Sequence, residues 1–394
     1  MRILTYTSLF PNSVQPEHGV FIYQRMAHLA KKPEMSVEAI APVPYFPKWV
    51  KLDPEWNQLS GVPLFETFGG IRVHHPRYLL VPKISMAMHG ALMFHGTRTL
   101  ARKLMQENKF DLLDAHYAYP DGYAGVKISQ ELGIPAVVSA RGTDMNLFST
   151  LPKIRPKIEW TLRNAAGGIG VSSKLRDLMV GCGLPEQRSA FIGNGVDTAR
   201  FYPENPIEMR KKLGLPLDRK VLISVAALKP HKGYPLLIPA MARLRKLGLD
   251  AVLYLIGRGE GEPEARRMIR DLGVEDSIRL IGTVPNERLR DWYSAANASV
   301  LASTREGWPN VLLESMACGT PVVACNVGGV SDVLNSPDLG ILTEPEVEAI
   351  CTSICKVLNG NWDRNEIANC GRGRSWDAVA AEVQDFFSLV LQNV

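Results

Sequence analysis

Residues 298–325, ASVLASTREGWPNVLLESMACGTPVVAC, contain the pattern from which the fold of the chain can be predicted. The short apolar runs Ala298–Leu301 and Val322–Ala324 are typical of buried strands. Between them, Asn310–Cys318 has the composition of a helix, and Pro309 suits a first helical turn because its missing N–H would be unpaired there anyway. Two strands joined by a helix predict a parallel sheet covered by helices.

The same alternation of strands and helices extends in both directions. Further strands are predicted at Ile3–Thr7, Met35–Ala41, Asp111–His116, Ala136–Ser139, Val221–Val225, Val252–Ile256, Ile278–Ile281 and Ile341–Leu342. We therefore predict an α/β protein with two Rossmann-like lobes, residues 1–190 and 206–372, joined near Gly193–Pro206. Ligands of such sheets bind at the carboxyl ends of the strands, so the natural site is the cleft between the lobes.

The end of the chain, residues 373–394, predicts an amphipathic helix. Its apolar residues follow the spacing i, i+3, i+4, i+7 and are Trp376, Val379, Ala380, Val383, Phe386, Phe387 and Val390. The apolar face fits two arrangements: the helix packs on its own lobe, or it crosses back to the first lobe.

Composition excludes several classes of protein. The 394 residues suffice for two or three domains, and 46% hydrophobic residues exclude disorder. A net charge of +5 suits anionic small molecules or an anionic membrane surface better than nucleic acid. The six cysteines lack CxxC spacing, which argues against a disulfide scaffold and against a zinc site. The first residues resemble a buried strand rather than a signal peptide, and no apolar run reaches about 18 residues, so we expect a cytoplasmic protein.

Two glutamates in the opening segment suggest a binding site for a sugar. Glu306 lies in the loop after a strand, and Glu314 lies eight positions later on the helix. Carboxylates accept hydrogen bonds from sugar hydroxyls, and we expect the first amides of the helix, those of Asn310, Val311 and Leu312, to bind an anion. The same pattern also fits a solvated loop glutamate and a helix glutamate favoured by the helix dipole.

The segment Glu306–Glu314 resembles the E-x7-E element of family 4 of the retaining glycosyltransferases. Seven further stretches resemble motifs of this family in the same order along nearly the whole chain: HGVF at 18–21, DAH at 114–116, SARGTD at 139–144, NGVD at 194–197, KG at 232–233, GRG at 257–259 and MACGTPVV at 316–323. The resemblance implies the GT-B fold, in which two Rossmann-like lobes face each other across a cleft and the last helix crosses back to the first lobe.

The resemblance also implies which residues bind a nucleoside diphosphate sugar. The implied donor-binding residues are Gly19, Lys232, Gly257, Arg258, Val284, Asn310, Val311, Leu312 and Glu314. Lys232 would begin the helix after Val221–Val225 and bind the diphosphate, and Gly19 would let the backbone approach the phosphates. Glu314 would accept the ribose hydroxyls.

His116 and Glu306 are the implied catalytic residues, His116 beside the transferred sugar and Glu306 on one of its hydroxyls. Arg141 and Asp144 are assigned to the acceptor or to a phosphate. No cofactor and no metal ion are expected, and the chain contains no Asp-x-Asp triplet. Catalysis would then rest on positioning and on stabilising charge.

Three departures from the family pattern affect the donor site. Ala227 stands where the family has an arginine five residues before the lysine, so that Lys229 or Arg258 would have to substitute for it. Arg141 replaces the histidine of the H-G-T-D stretch, which suggests an anionic acceptor or a compensating phosphate contact. Pro309 replaces a glycine and removes one amide from the loop.

Together these features predict a metal-independent hexosyltransferase that uses a glycan, a lipid-linked saccharide or a small acceptor in the synthesis of cell-surface glycans. The alternatives are a sugar-nucleotide epimerase or phosphorylase of the same fold, and a catalytically weak sugar-nucleotide-binding subunit. A nicotinamide site is disfavoured because the stretch at 257–261 is GRGEG rather than G-x-G-x-x-G. The basic amphipathic stretch Pro152–Arg163 and the run Tyr45–Lys51 suggest contact with the inner face of an anionic membrane, or else merely a solvated surface.

Overall fold

The computed structural model describes residues 1–45, 58–80 and 85–393. The chain forms two compact units, one made of Met1–Asn194 with Trp376–Val394 and the other of Gly195–Ser375. Each unit is built around a mainly parallel sheet with helices, as the sequence predicts. The boundaries fall after Asn194 and after Ser375, where the predicted lobes ended at residues 190 and 372.

The first unit contains an eight-stranded sheet in the order β10-β9-β8-β7-β1-β2-β5-β4. Its strands are β1 (Arg2–Tyr6), β2 (Ser36–Ile40), β4 (Phe65–Phe68), β5 (Ile71–His74), β7 (Leu112–His116), β8 (Ala136–Ala140), β9 (Gly167–Gly170) and β10 (Ser189–Phe191), while β3 (Val43–Tyr45) and β6 (Arg77–Leu79) pair separately. Only β4 runs antiparallel to its neighbour among these ladders. Every residue of β7 and β8 is buried, as expected for central parallel strands covered on both faces.

Six helices precede the unit boundary in the described part of the first unit. They are α1 (Val20–Ala30), α2 (His89–Asn108), α3 (Tyr123–Leu132), α4 (Thr143–Asn146), α5 (Arg155–Asn164) and α6 (Ser173–Gly181). Helix α1 begins directly after Gly19, whose φ of 69° is the left-handed conformation that glycine adopts without strain.

The second unit contains a six-stranded, fully parallel sheet in the order β13-β12-β11-β14-β15-β16. Its strands are β11 (Lys220–Val225), β12 (Ala251–Ile256), β13 (Ile278–Gly282), β14 (Ala298–Leu301), β15 (Val322–Cys325) and β16 (Gly340–Thr343). Its helices are α7 (Pro206–Leu213), α8 (Tyr234–Lys246), α9 (Glu262–Asp271), α10 (Asn286–Ala295), α11 (Asn310–Ala317), α12 (Val330–Val333), α13 (Val347–Asn359) and α14 (Arg364–Gly373).

Successive side chains of the central strand β11 enter two different cores. Val221 and Ile223 pack into the core on one face, and Leu222 packs into the core on the other. This division follows from the two-residue period of a strand. The apolar run that predicted the strand is therefore continuous because helices cover both faces of the sheet.

The last helix, α15 (Trp376–Gln392), belongs to the first unit although it follows the second in sequence. Its buried residues are the predicted apolar set: Trp376, Val379, Ala380, Val383, Phe386, Phe387 and Val390. They share a core with Ile22, Met26 and Leu29 of α1, and Asp377 Oδ1 lies 2.7 Å from His28 Nδ1. The prediction that this helix returns to the first lobe is confirmed.

Among the helices that the structure describes, none combines the length and the apolar character that crossing a bilayer requires.

Candidate active site

The strand order of the second sheet creates a crevice at the carboxyl end of β11. The strand lies between β12 and β14. The strands that follow it in sequence, β12 and β13, lie on one side of it, and β14, β15 and β16 lie on the other side. Loops after such neighbouring strands diverge, and ligands of open α/β sheets bind where they do so. Lys232 follows β11 and Glu306 follows β14, so both predicted residues belong to this point.

Lys232 and Glu306 contact each other in the crevice. Lys232 Nζ donates to Oε1 and Oε2 of Glu306 at 2.8 and 2.9 Å. The side chain of Lys232 is 29% exposed and that of Glu306 is 8% exposed. The cation of this pair is thus partly open to solvent, and the carboxylate is buried. Hydrogen bonds between ionised groups are stronger than those between neutral groups.

Gly233 explains how the two loops come this close. Its φ is 93°, and a Cβ at this position would lie 2.0 Å from the carbonyl oxygen of Ala302. Any side chain would push the loop after β11 away from the end of β14. The prediction that Lys232 begins a helix is wrong: it ends a short 3-10 turn, Pro230–Lys232, and α8 begins at Tyr234 because Gly233 interrupts the helical conformation.

Glu314 lies on α11 and is more enclosed than a solvated helix glutamate. Its Oε2 accepts a hydrogen bond of 3.0 Å from the hydroxyl of Tyr293 on α10. Burial raises the pKa of Glu314 to about 7, against smaller opposing effects of Tyr293 and Arg200. The carboxyl group can therefore change its protonation near neutral pH, which makes it a candidate functional group. Sequence reasoning missed Tyr293, because no spacing connects it with Glu314.

The first turn of α11 differs in one respect from the prediction. Pro309 caps the helix, and the N–H of Leu312 donates to its carbonyl oxygen at 3.1 Å. The prediction that the amide of Leu312 is free is therefore wrong, since its N–H makes a hydrogen bond within the first turn. Asn310 and Val311 lie at the start of the helix as predicted, and the side chain of Val311 packs against the core.

The loops after β12 and β13 are joined to the loop after β11 by backbone contacts. Gly257 has a φ of 137°, and its N–H donates to Gly282 at 2.8 Å. The N–H of Leu228 donates to the carbonyl of Arg258 at 3.0 Å. This brings the backbone of Arg258 beside Ala227, while its guanidinium lies next to Gly282. Val284 follows β13 and packs against the core.

In the first unit, His116 ends β7 inside a buried group of charged side chains. Its Nε2 lies 3.0 Å from Asp114 Oδ2, and Arg141 Nη2 lies 2.6 Å from its Nδ1. Because a guanidinium only donates, Nδ1 accepts and Nε2 carries the proton. Burial, assisted by Arg141, lowers the pKa of His116 to about 4, so the ring is neutral at pH 7. Its contact with a transferred sugar stays a prediction.

Arg141 uses its guanidinium within the protein. Besides the contact with His116, Nη1 donates to Asn194 Oδ1 at 3.0 Å, and the guanidinium lies 5.5 Å from the ring of Phe21. The side chain is buried, so the structure shows no fork open to an acceptor. Gly19 is two residues before Phe21, and a Cβ there would lie 2.2 Å from the carbonyl oxygen of Leu9. Gly19 therefore also has a purely structural reason to be glycine.

Asp144 shapes the backbone after β8. Its carboxylate accepts hydrogen bonds from the N–H groups of Gly142 and of Ala118, both at 2.8 Å. It thereby ties the loop after β8 to the segment after β7. The residue is fully buried, and burial raises its pKa.

Sequence reasoning also missed Asp121 in the first unit. It follows β7 and accepts a hydrogen bond from the N–H of Ser8, which follows β1. Burial raises the pKa of Asp121 to about 7. It joins the loops of two neighbouring strands, and the pattern PDG at 120–122 is the one signal that marks it as part of a turn.

The structure thus groups the predicted residues into two sets. Lys232, Glu306 and Glu314 lie in the second unit with the glycine loop at 257–259, and His116, Arg141 and Asp144 lie in the first unit. Among the described residues, no group of three or more His, Cys, Asp or Glu side chains is placed to bind a metal ion.

Comparisons with known proteins agree with this arrangement. Residues 206–374 match the family model of the glycosyl transferases group 1, and residues 60–200 match that of glycosyltransferase family 4. TuaC of Bacillus subtilis (strain 168), a glycosyltransferase named for teichuronic acid biosynthesis, is 28% identical over 375 residues, which cover 94% of this chain and 92% of TuaC.

Solved structures share the fold. Sucrose-phosphate synthase from Thermosynechococcus elongatus has a TM-score of 0.78 at 20% identity, with 100% of this chain and 99% of that chain covered. Anabaena Alr3699/HepE in complex with UDP has a TM-score of 0.73 at 20% identity, with 98% and 100% covered. With a family model matched in each unit and GT-B structures covering its whole length, the chain belongs to family 4 of the glycosyltransferases and has the GT-B fold.

Proposed function

We propose that this glycosyltransferase transfers a hexose from a nucleoside diphosphate sugar to a glycan or a lipid-linked saccharide, with retention of configuration at the anomeric carbon. The observation that carries the proposal is the contact of Lys232 with both carboxylate oxygens of Glu306 at the switch point of the second sheet. A cation that can bind the diphosphate thus lies next to a carboxylate that can accept a hydrogen bond from a sugar hydroxyl. A ligand in which a sugar is joined to a diphosphate needs these two groups side by side.

Glu314 completes the donor site in this proposal. Its carboxylate would accept the ribose hydroxyls, and the loop after β13 with Val284 would meet the base. The base is uracil in the simplest case, since Anabaena Alr3699/HepE was solved with UDP. In this proposal Arg258 supplies the charge that Ala227 lacks; the supporting observation is that the N–H of Leu228 donates to the carbonyl of Arg258, so the backbone of Arg258 lies beside Ala227. Lys229 is exposed, and its N–H donates to the carbonyl of Ala227 at 2.8 Å, so it remains the alternative source of that charge.

The first unit would bind the acceptor. His116 is neutral and held by Asp114 and Arg141, so it would position a hydroxyl of the sugar rather than supply charge. Arg141 acts in this proposal through His116, which replaces the expected direct contact with an anionic acceptor.

The chemical step needs no group beyond donor, acceptor and protein. The bond from the anomeric carbon to the β-phosphate oxygen breaks, and a bond from that carbon to the acceptor oxygen forms on the same face. The acceptor proton passes to the departing phosphate oxygen. Lys232 stabilises the negative charge that develops on the diphosphate, which is the usual contribution of fixed cations to such transfers.

The test combines donor binding with turnover. Purified protein is treated with EDTA and titrated with UDP-, GDP-, ADP- and dTDP-sugars, and thermal unfolding is followed. A ligand at about 100 times its dissociation constant adds about 2.7 kcal/mol of stability. We expect one nucleotide to stabilise the wild type, and Glu314→Ala to abolish that effect. Stabilisation by a nucleotide without release of sugar to any acceptor would favour the weak-subunit alternative.

Product stereochemistry tests retention. Proton NMR of the first product formed shows whether the anomeric configuration of the donor sugar is kept. An inverted product would refute the same-face step, and loss of activity with EDTA that Mg²⁺ restores would refute metal independence.

A further inference from the structure

Three helices of the first unit carry a local excess of positive charge. Helices α2, α3 and α5 contain seven Lys or Arg and three Glu, a difference of four, in a chain whose net charge is +5. Arginines of the same helices pair with Glu131 and Glu159. Within the described ranges, no carboxylate lies in ion-pair distance of Arg98, Lys127 or Lys157.

These three cations lie against aromatic rings instead. Lys127 Nζ is 4.5 Å from the ring centre of Trp160 and 5.2 Å from that of Tyr123. Lys157 Nζ is 5.8 Å from Tyr123, and a further contact of 5.7 Å joins Arg98 to Phe94. All six of these residues, the three cations and the three aromatic residues, are partly exposed rather than buried. We call this surface the basic aromatic face; it comprises Phe94, Arg98, Tyr123, Lys127, Lys157 and Trp160.

The basic aromatic face continues to the segment that follows His116. The ring centres of Tyr119 and Tyr123 are 6.2 Å apart, and the hydroxyl of Tyr119 donates to the carbonyl of Met86 at 2.7 Å. Met86 and Met88 precede α2 and are 38% and 60% exposed. Exposed apolar side chains therefore adjoin the basic aromatic face just before α2 begins.

We propose that the basic aromatic face, with Met86 and Met88, binds the headgroup region of an anionic lipid bilayer. Tyr and Trp rings with Lys and Arg around them suit the interface of a membrane, where rings sit among headgroups and cations meet lipid phosphates. A soluble anionic polymer would use the cations but has no need of exposed methionines beside them. The inference rests on the proposed function only in that the bilayer would present a lipid-linked acceptor.

The test is flotation of the full chain with vesicles of phosphatidylcholine alone or with phosphatidylglycerol added. The test variant is Lys127→Glu with Lys157→Glu, and its matched control is Lys211→Glu with Lys246→Glu, two exposed lysines of the second unit. The wild type should float only with the anionic vesicles. The test variant should bind about thirty-fold more weakly or worse, because each cation near an anionic surface contributes about 1 kcal/mol. The control should stay within about two-fold, and Trp160→Ala should also weaken binding.

Thermal unfolding and UDP binding, measured on every variant, separate this surface from folding and from the donor site. The proposal is overturned if the wild type does not float with anionic vesicles, if the control variant loses as much binding, or if heparin binds as tightly as the vesicles and depends on the same lysines. A wild type that floats but binds no nucleotide would leave the surface standing and refute the proposed function.

Discussion

Replacing Glu314 with glutamine should stabilise the second unit and weaken donor binding at the same time. Burial raises the pKa of Glu314 from its ordinary 4.5 to about 7. The folded state therefore binds this proton more tightly than the unfolded state, and stability is lost as pH rises through that interval. At about 1.4 kcal/mol per pH unit, the buried carboxyl group lowers stability by about 3 kcal/mol above pH 8, where it must ionise, and by about 1 kcal/mol near pH 5, where it must keep a proton that the unfolded chain releases. Glutamine has no such cost, and its carbonyl can still accept from Tyr293.

The assay is thermal unfolding of wild type and Glu314→Gln at pH 5 and pH 8. We expect the variant to gain several degrees more at pH 8 than at pH 5, since about 1 kcal/mol shifts the midpoint of a unit of this size by about 2–4 °C. Glu264→Gln is the matched control, because Glu264 also accepts from a tyrosine hydroxyl, that of Tyr234, but is exposed. It should change little at either pH.

Nucleotide titration completes the experiment. Loss of a charged acceptor for the ribose hydroxyls should weaken binding by about 1.5–3 kcal/mol. Wild-type affinity should also rise with pH, because the ionised carboxylate is the better acceptor, while that of the variant should stay flat. An equal gain in stability at both pH values would refute the raised pKa, and unchanged nucleotide affinity would refute the ribose contact.

Other predictions concern single contacts. Lys232→Met should remove donor binding, measured by calorimetry. It should also cost about 1–3 kcal/mol of stability in urea unfolding, because Glu306 is left buried without its cation. Glu306→Gln in the same background should restore stability but not binding. Arg258→Ala should weaken nucleotide binding about ten-fold in a titration, whereas Lys229→Ala should change it less than two-fold. The reverse order would refute the proposal that Arg258 compensates for Ala227. Phe387→Ala should destabilise the first unit by about 3–5 kcal/mol in urea unfolding, and a cost below 1 kcal/mol would contradict the packing of α15 on α1.

The fold could be predicted from the sequence because its signals are local. A strand such as Val221–Val225 is marked by its own apolar run, and the final helix by its own period. The helix start at Lys232 was predicted wrongly because Gly233 adopts a positive φ to touch Ala302, a residue about seventy positions away. Such a contact depends on the order of strands in the sheet, and the periodicity of a sequence gives no information about that order.

Residues of the candidate site could be predicted only where they belong to a family motif. Lys232 and Glu306 could be placed by motif, but their contact required the structure. Asp121 and Tyr293 belong to no spacing that distinguishes them, since their partners lie on other elements. The partner of a buried polar group is set by tertiary packing, and therefore a sequence pattern finds the loops of a site more readily than the groups that tune it.

Arg141 shows how the same residue can mean different things in sequence and in structure. Taken alone, an arginine in place of histidine suggests an anionic ligand, because a guanidinium pairs well with carboxylate or phosphate. In the folded protein its two terminal nitrogens contact His116 and Asn194, and its plane lies over Phe21. A cation beside an imidazole favours the neutral ring, and because the guanidinium only donates to Nδ1, the proton of His116 lies on Nε2. In the proposed function, this departure from the family pattern would act on how His116 orients a sugar hydroxyl, and it would not supply a direct contact to an anionic acceptor.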